Sequence, residues 1–274
     1  MPAPANRCCL KPGAYLPLLY AVLDFLVDRS WEPDMNDEKT TRFKGRDLTA
    51  ELVACVERFE PDPGPEPGTI EHTKAEFDAM VEALLREYEP EDLWIFAYGS
   101  LIWNPEFEFV ESRNATAYGW HRSFCLKLTR WRGTRELPAL MLALDRGGSC
   151  KGVAYRLPAQ DHFKQLGLLM FREIDANPPT NVPRWISVKT ETGILRALAF
   201  VAAREGMAYA GKLPMKQVAH VLARAAGHWG SAAQYLFRTV TMLKEHGIRD
   251  RNMGRIQSLV AQEIEELLSA AKKS

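Results

Sequence analysis

The sequence has little that would mark it for nucleic acid, a metal ion, a nucleotide or a membrane. Its 35 Lys and Arg are matched by 35 Asp and Glu, so no net field draws a polyanion or an anionic lipid surface from a distance. The five cysteines, at positions 8, 9, 55, 125 and 150, form no CxxC pair and no zinc-type spacing with histidine. That argues against a disulfide framework and for a reduced, cytoplasmic setting. The six histidines are dispersed without HxH or HExxH, so no metal is expected. GxGxxG and GxxxxGK[ST] loops are missing, which removes the usual cradles for dinucleotides and phosphates. A single apolar run at 16–23 follows Arg7 and Lys11 as a secretory segment would. Pro17 interrupts it, it is too short to span a bilayer, and no small-residue cleavage site follows. These absences point to a small-molecule ligand or a protein partner, with no nucleic acid, no membrane and no cofactor expected.

What is present is an ordinary globular composition, 46% hydrophobic and 26% charged over 274 residues. That is enough to bury one catalytic core with extensions. Residues 1–34 read as a tail or a mis-assigned start, because Met35 opens a more usual polar beginning. The stretch EPDPGPEPG at 60–68 alternates prolines that cannot donate to a helix or a central strand, so it is a linker or wrapping arm. Helices are predicted on either side of it, at 47–59 and 73–88, from apolar residues at helical spacing. Residues 35–91 thus form a helical N-terminal extension, and 92–274 a catalytic domain ending in helices. Strands are predicted at 93–97, 115–120, 123–129, 139–144, 149–157, 184–190 and 194–201, the fourth and fifth joined by a turn at Asp145-Arg146-Gly147-Gly148. Helices are predicted at 159–174, 214–226, 231–246 and 253–271. The expected class is α+β, a small curled mixed sheet or barrel with flanking helices.

Two places could carry chemistry. In WIFAYGSLIW, residues 94–103, an apolar strand runs into Gly99-Ser100. A glycine there lets the backbone approach a ligand closely and form an anion-binding concavity; the same residues also suit a plain strand-ending turn with Tyr98 and Trp103 packed inside. Ser100 lacks the second glycine of a GxSxG nucleophile elbow. In the second place, Phe163, Leu166, Leu169, Met170 and Ile174 make one helical stripe, and the helix period sets Glu173 on it while Arg172 points away. A carboxylate aimed inward is either paired, with Arg156, Arg184 or Lys127 as candidates, or raised in pKa and usable as a general base. Cys125 and Cys150 read as small core residues. Arg130-Trp131-Arg132-Gly133-Thr134-Arg135 reads as a solvated loop beside a cleft, where Arg130 could meet a substrate carboxylate. His228-Trp229-Gly230 and Tyr235 are candidates to close a pocket.

Taken in order, Tyr98-Gly99-Ser100-Leu101-Ile102-Trp103, Gly119-Trp120-His121-Arg122, Gly152-Val153-Ala154-Tyr155-Arg156 and Phe171-Arg172-Glu173 resemble the ChaC family of γ-glutamylcyclotransferases, from about residue 47 to 261. The resemblance implies that Ala97, Tyr98, Gly99, Ser100, Leu101 and Ile102 bind the γ-glutamyl group. It also implies that Glu173 accepts the proton when the substrate's own amine attacks its γ-carbonyl, and that glutathione yields 5-oxoproline and cysteinylglycine. Other γ-glutamyl amines as substrates, or a non-catalytic role in cation transport, are the competing expectations. Ala97 departs from the family, whose members commonly have glycine before the tyrosine. Gln234-Tyr235-Leu236 resembles a family stretch that usually reads Glu-Tyr-Leu, and on that basis Tyr235 is carried over as a substrate-binding residue.

Overall fold

The computed structural model describes residues 47–174 and 176–273. The tail at 1–34, Cys8, Cys9, the apolar run at 16–23 and Met35 lie outside the described residues. Thr49 opens α1 (Ala50–Val56), its side chain accepting from the Leu52 N–H. Thr73 opens α2 (Lys74–Glu87) through a capping box in which Thr73 and Glu76 satisfy each other's free backbone donors. Both helices fall within the predicted spans, and α2 buries Phe77, Val81 and Leu84.

Five strands close into a barrel in the order β1-β3-β2-β4-β5: β1 (Trp94–Ala97), β2 (Glu111–Leu128), β3 (Ala139–Arg156), β4 (Asn181–Thr190) and β5 (Gly193–Ala202). Neighbours in that order are antiparallel, and β5 returns to β1 and β3 through the parallel pairings Ile95↔Leu198 and Leu144↔Val201. All four residues of β1 are buried, which is why its sequence is a continuous apolar run and not an alternating one.

The predicted pairs 115–120 with 123–129, and 139–144 with 149–157, are single 18-residue strands. Gly147 and Gly148, with φ of +105° and +69°, do not reverse the chain as expected. They oppose Gly119 (φ +81°) at a register shift between Tyr118 and Trp120, so β2 and β3 bend together there. A second shift lies between Phe124 and Leu126. Bulges of this kind give long strands the curvature that barrel closure needs.

After β1 comes a four-residue turn of helix absent from the prediction, α3 (Ser100–Trp103). The helix between β3 and β4 is α4 (His162–Glu173). Leu166, Leu169, Met170 and Ile174 are nearly fully buried as the stripe requires, whereas Phe163 is 38% exposed. The chain ends with α5 (Met215–Leu222), the two-residue strands β6 (Ala226–Gly227) and β7 (Gly230–Ser231), α6 (Ala232–Glu245) and α7 (Arg251–Ala271). α1 packs on α6 and α7, and α2 on α4. Among the described residues no helix is long and apolar enough to cross a membrane.

Candidate active site

The turn after β1 is clamped from several directions. Tyr98 donates its hydroxyl to the Phe200 carbonyl at 2.8 Å, and its own carbonyl accepts from Arg122 Nε at 2.7 Å. Arg122, buried, also donates to the Lys151 carbonyl and to Asp250 Oδ2 at 3.0 Å. Each nitrogen of its guanidinium thus has an acceptor, the condition under which a buried charge is tolerated. Gly152 of β3 lies so close that a Cβ there would come within 2.3 Å of the Ala97 carbonyl oxygen. Gly99 is a glycine for space: its φ is −136°, but a Cβ would sit 2.9 Å from the Tyr235 hydroxyl oxygen. The first N–H groups of α3 have no partner within the helix. Ala97, Leu101 and Ile102 are buried, and their side chains support the turn.

Glu173 ends α4 near this turn. Its side chain is 14% exposed, and Oε1 lies 3.0 Å from Arg172 Nε. The partner is therefore its chain neighbour and not Arg156, Arg184 or Lys127. Arg156 is taken by Glu111 and Asp92, and Arg184 and Lys127 are exposed on β4 and β2. Arg172 was expected to point away. Its length lets it curl back over the helix end, where it also donates to the Pro105 carbonyl at 2.8 Å and meets Glu106 at 3.3 Å. Burial pushes the Glu173 carboxyl above its ordinary range; Arg172 opposes this, and the Glu106 charge adds to it. The negative charge of Glu173 in turn helps burial hold Tyr98 and Tyr235 as neutral hydroxyls, Tyr98 well above the usual phenol value and Tyr235 up to about 12.

Tyr235 forms the opposite wall, on the first turns of α6. Its hydroxyl faces the Ser100 backbone N–H and hydroxyl, which partly offset the upward push of burial. Its ring meets Trp103 edge-on at 5.8 Å. The cation over that ring is Arg132, with Cζ 5.4 Å from the ring centre. Arg130, the arginine singled out from sequence, makes a two-pronged bond to Asp62 at 2.9 and 2.8 Å and is held by the Pro-rich arm. Arg132 is buried and uses Nη1 for the Ser231 carbonyl and Gln234 Oε1. Both arginines occupy one six-residue segment, and nothing in its pattern told them apart. Trp229, 60% exposed, meets Trp131 at a tilt, with ring centres 5.8 Å apart. Cys125 and Cys150 are core residues with thiols pushed by burial up to about 12 and about 11, which leaves them poor nucleophiles.

The structure thus joins Tyr98, Gly99, Ser100, Glu173 and Tyr235 in one neighbourhood around the β1–α3 turn. A family model described as a ChaC-like protein matches residues 93–263, a span that contains all five. The chain belongs to the ChaC-like family. Within that family's reach, the chain is 41% identical over 159 residues to the "Glutathione-specific gamma-glutamylcyclotransferase" of Escherichia coli K12, covering 58% of this chain and 68% of the relative. It is 31% identical over 163 residues to the human "Glutathione-specific gamma-glutamylcyclotransferase 1", covering 57% and 72%. In three dimensions it is similar to a γ-glutamyl cyclotransferase specific to glutathione from yeast, with TM-score 0.58 and 19% identity, covering 64% of this chain and 97% of that one. That likeness concerns the fold, and it agrees with the expected α+β barrel with flanking helices. Among the described residues no three His, Cys, Asp or Glu side chains gather as a metal site would require.

Proposed function

We propose that this chain is a γ-glutamylcyclotransferase that converts glutathione to 5-oxoproline and cysteinylglycine, with Glu173 as proton acceptor. The observation that carries the reading is a carboxylate raised by burial beside a glycine turn that a tyrosine hydroxyl closes from the far side. A carboxylate raised above its ordinary range is a stronger base, and a base is what the first step needs, since the substrate's α-ammonium must lose a proton before its nitrogen can attack. Glu173 takes that proton, and the free amine adds to the γ-carbonyl carbon to close a five-membered ring. The C–N bond to the cysteinyl nitrogen then breaks as Glu173 returns its proton to that nitrogen, and the ring nitrogen gives up its second proton, which passes by way of Glu173 to the released amine and leaves a neutral lactam and the product's ammonium. Atoms and charge balance with no other reactant, so the scheme calls for no cofactor and no covalent enzyme intermediate.

Holding the γ-glutamyl chain curled supplies much of the rate, since such orientation is worth about 7–11 kcal/mol in favourable cases. The backbone N–H groups at Gly99 to Leu101 and the neutral Tyr235 hydroxyl are the donors available to the developing oxyanion. The names of the Escherichia coli and human relatives support glutathione as the substrate. A thiol substrate and the free thiols Cys125 and Cys150 fit a reducing, cytoplasmic setting. The test is to incubate the purified chain with glutathione and quantify 5-oxoproline and cysteinylglycine by mass spectrometry, beside γ-glutamyl-alanine as a competing substrate. The expected result is turnover of glutathione that the Glu173→Gln variant lacks while melting cooperatively. A fully active Glu173→Gln variant would refute the mechanism.

A further inference from the structure

The residues matched to the family begin at 93, yet the Tyr235 wall of the site is held from further upstream. Glu57, an exposed residue, is the C-cap of α1 and turns its carboxylate to Ser231. Its Oε1 accepts the Ser231 backbone N–H at 3.0 Å and its Oε2 the Ser231 hydroxyl at 2.7 Å. Ser231 is the N-cap of α6, its Oγ accepting from the Gln234 N–H at 3.1 Å. The carboxylate therefore sits at a helix N-terminus, where negative charge is favoured. Tyr235 is one turn further along the same helix.

Arg132 completes the cluster from the other side. Its Nη1 donates to the Ser231 carbonyl at 2.8 Å and to Gln234 Oε1 at 3.1 Å, so Glu57 and Arg132 grip one residue from opposite ends. Burial works against the Arg132 charge, and the nearby Glu57 carboxylate favours it. Gly230, at φ +94°, leaves room for this: a Cβ there would lie 2.6 Å from Glu57 Oε1. The same upstream segment also holds the loop that carries Arg132. Asp62 binds Arg130, Glu66 accepts from Thr129, and Arg135 reaches the Pro63 and Pro65 carbonyls at 3.5 Å.

We infer that Glu57 is a positioning residue for the proposed reaction, fixing the Ser231–Arg132–Tyr235 wall against which the γ-glutamyl substrate is held; the inference rests on the cyclotransferase reading above. Glu57 acts through Ser231 and Arg132 and not on the reacting atoms, so its loss is read mainly in KM.

The test is made on the full chain. Glu57→Ala raises KM for glutathione about tenfold while kcat stays within about threefold. Glu57→Gln, which keeps an oxygen to accept from the Ser231 N–H, falls between Ala and wild type. Glu51→Gln, on the exposed face of the same helix, matches wild type. A Glu57→Ala variant with wild-type KM and kcat, changed only in melting temperature, overturns the inference. A second readout is independent of substrate: 3-fluorotyrosine placed at position 235 shifts its fluorine resonance at neutral pH in Glu57→Gln and not in Glu51→Gln. A wild-type protein inert to glutathione sinks the functional reading alone, and the fluorine line then decides the role of Glu57, an unmoved line overturning it.

Discussion

Two glutamates of this protein make an instructive pair. Glu173 at the end of α4 and Glu263 in α7 are both largely buried, 14% and 23% exposed, and each touches an arginine, at 3.0 and 2.6 Å. Their carboxyls nevertheless shift in opposite directions. Burial pushes Glu263 up, but His220 at 3.2 Å and Arg224 together outweigh it, and the carboxyl falls below its usual range. For Glu173 a single arginine, shared with Glu106 and the Pro105 carbonyl, is not enough, and burial wins. The lesson is that an arginine contact does not make an acid structural. What separates an ion-pair partner from a base is how many donors it receives against how much water it loses.

The largest test of that contrast exchanges each acid for its amide. Glu173→Gln lowers glutathione turnover by about 10³-fold, whereas Glu263→Gln leaves kcat/KM within about twofold and lowers unfolding free energy in denaturant titrations by about 1–3 kcal/mol. Equal loss of activity in both would erase the distinction. Next in size is the wall facing the base: Tyr235→Phe removes the hydroxyl at the Gly99-Ser100 turn and reduces kcat/KM by about 10²-fold, measured by initial rates; an unchanged rate removes Tyr235 from the site.

A smaller effect sharpens the electrostatic side. The proposed mechanism needs Glu173 ionised, so kcat/KM is expected to fall on the acid side of its raised pKa. Arg172→Gln removes the charge that holds that pKa down, and the acid limb of the pH–rate profile moves to higher pH. A limb that stays in place, or moves down, contradicts the assignment. The smallest effect is on stability. The folded pKa of Glu173 lies above its unfolded value, so stability falls as pH rises from the ordinary glutamate range through the raised one, and above it the loss is complete. Glu173→Gln lacks that loss, so its melting temperature relative to wild type rises as pH increases through the raised range, and a difference independent of pH contradicts the shift. The Glu263 linkage runs the other way. Its contribution is present above the ordinary glutamate range and is lost as pH falls through the lowered pKa, so the difference in stability between wild type and Glu263→Gln shrinks in acid.

Much of this arrangement is legible in the sequence. The helical period put Glu173 on the buried face of α4, the apolar run of β1 ended where the turn begins, and the separated motifs pointed to one family. What pattern could not supply was interaction across the fold. Arg172 was assigned to solvent because helical phase knows nothing of a long side chain folding back over the helix end. Arg130 and Arg132 look alike in the sequence, and only the third dimension brings Asp62 to one and Tyr235 to the other. Gly147-Gly148 read as a reversal because local turn chemistry cannot see that β2 bends at Gly119 in step. Glu57 belongs to no motif in the sequence: its partner is Ser231, 174 positions away.

The barrel's closure also has a temporal meaning. Tyr98 is anchored to a carbonyl 102 positions later, and Trp103, at the end of α3, donates from its indole to Thr239 at a separation of 136. Contacts of such range form slowly, because the intervening chain must first be ordered. β1 and its turn emerge early during synthesis, but they acquire their partners only when β5 has closed on them and α6 has docked. A product stalled before α6 would therefore lack partners that hold the turn, and with them the geometry the proposed reaction requires.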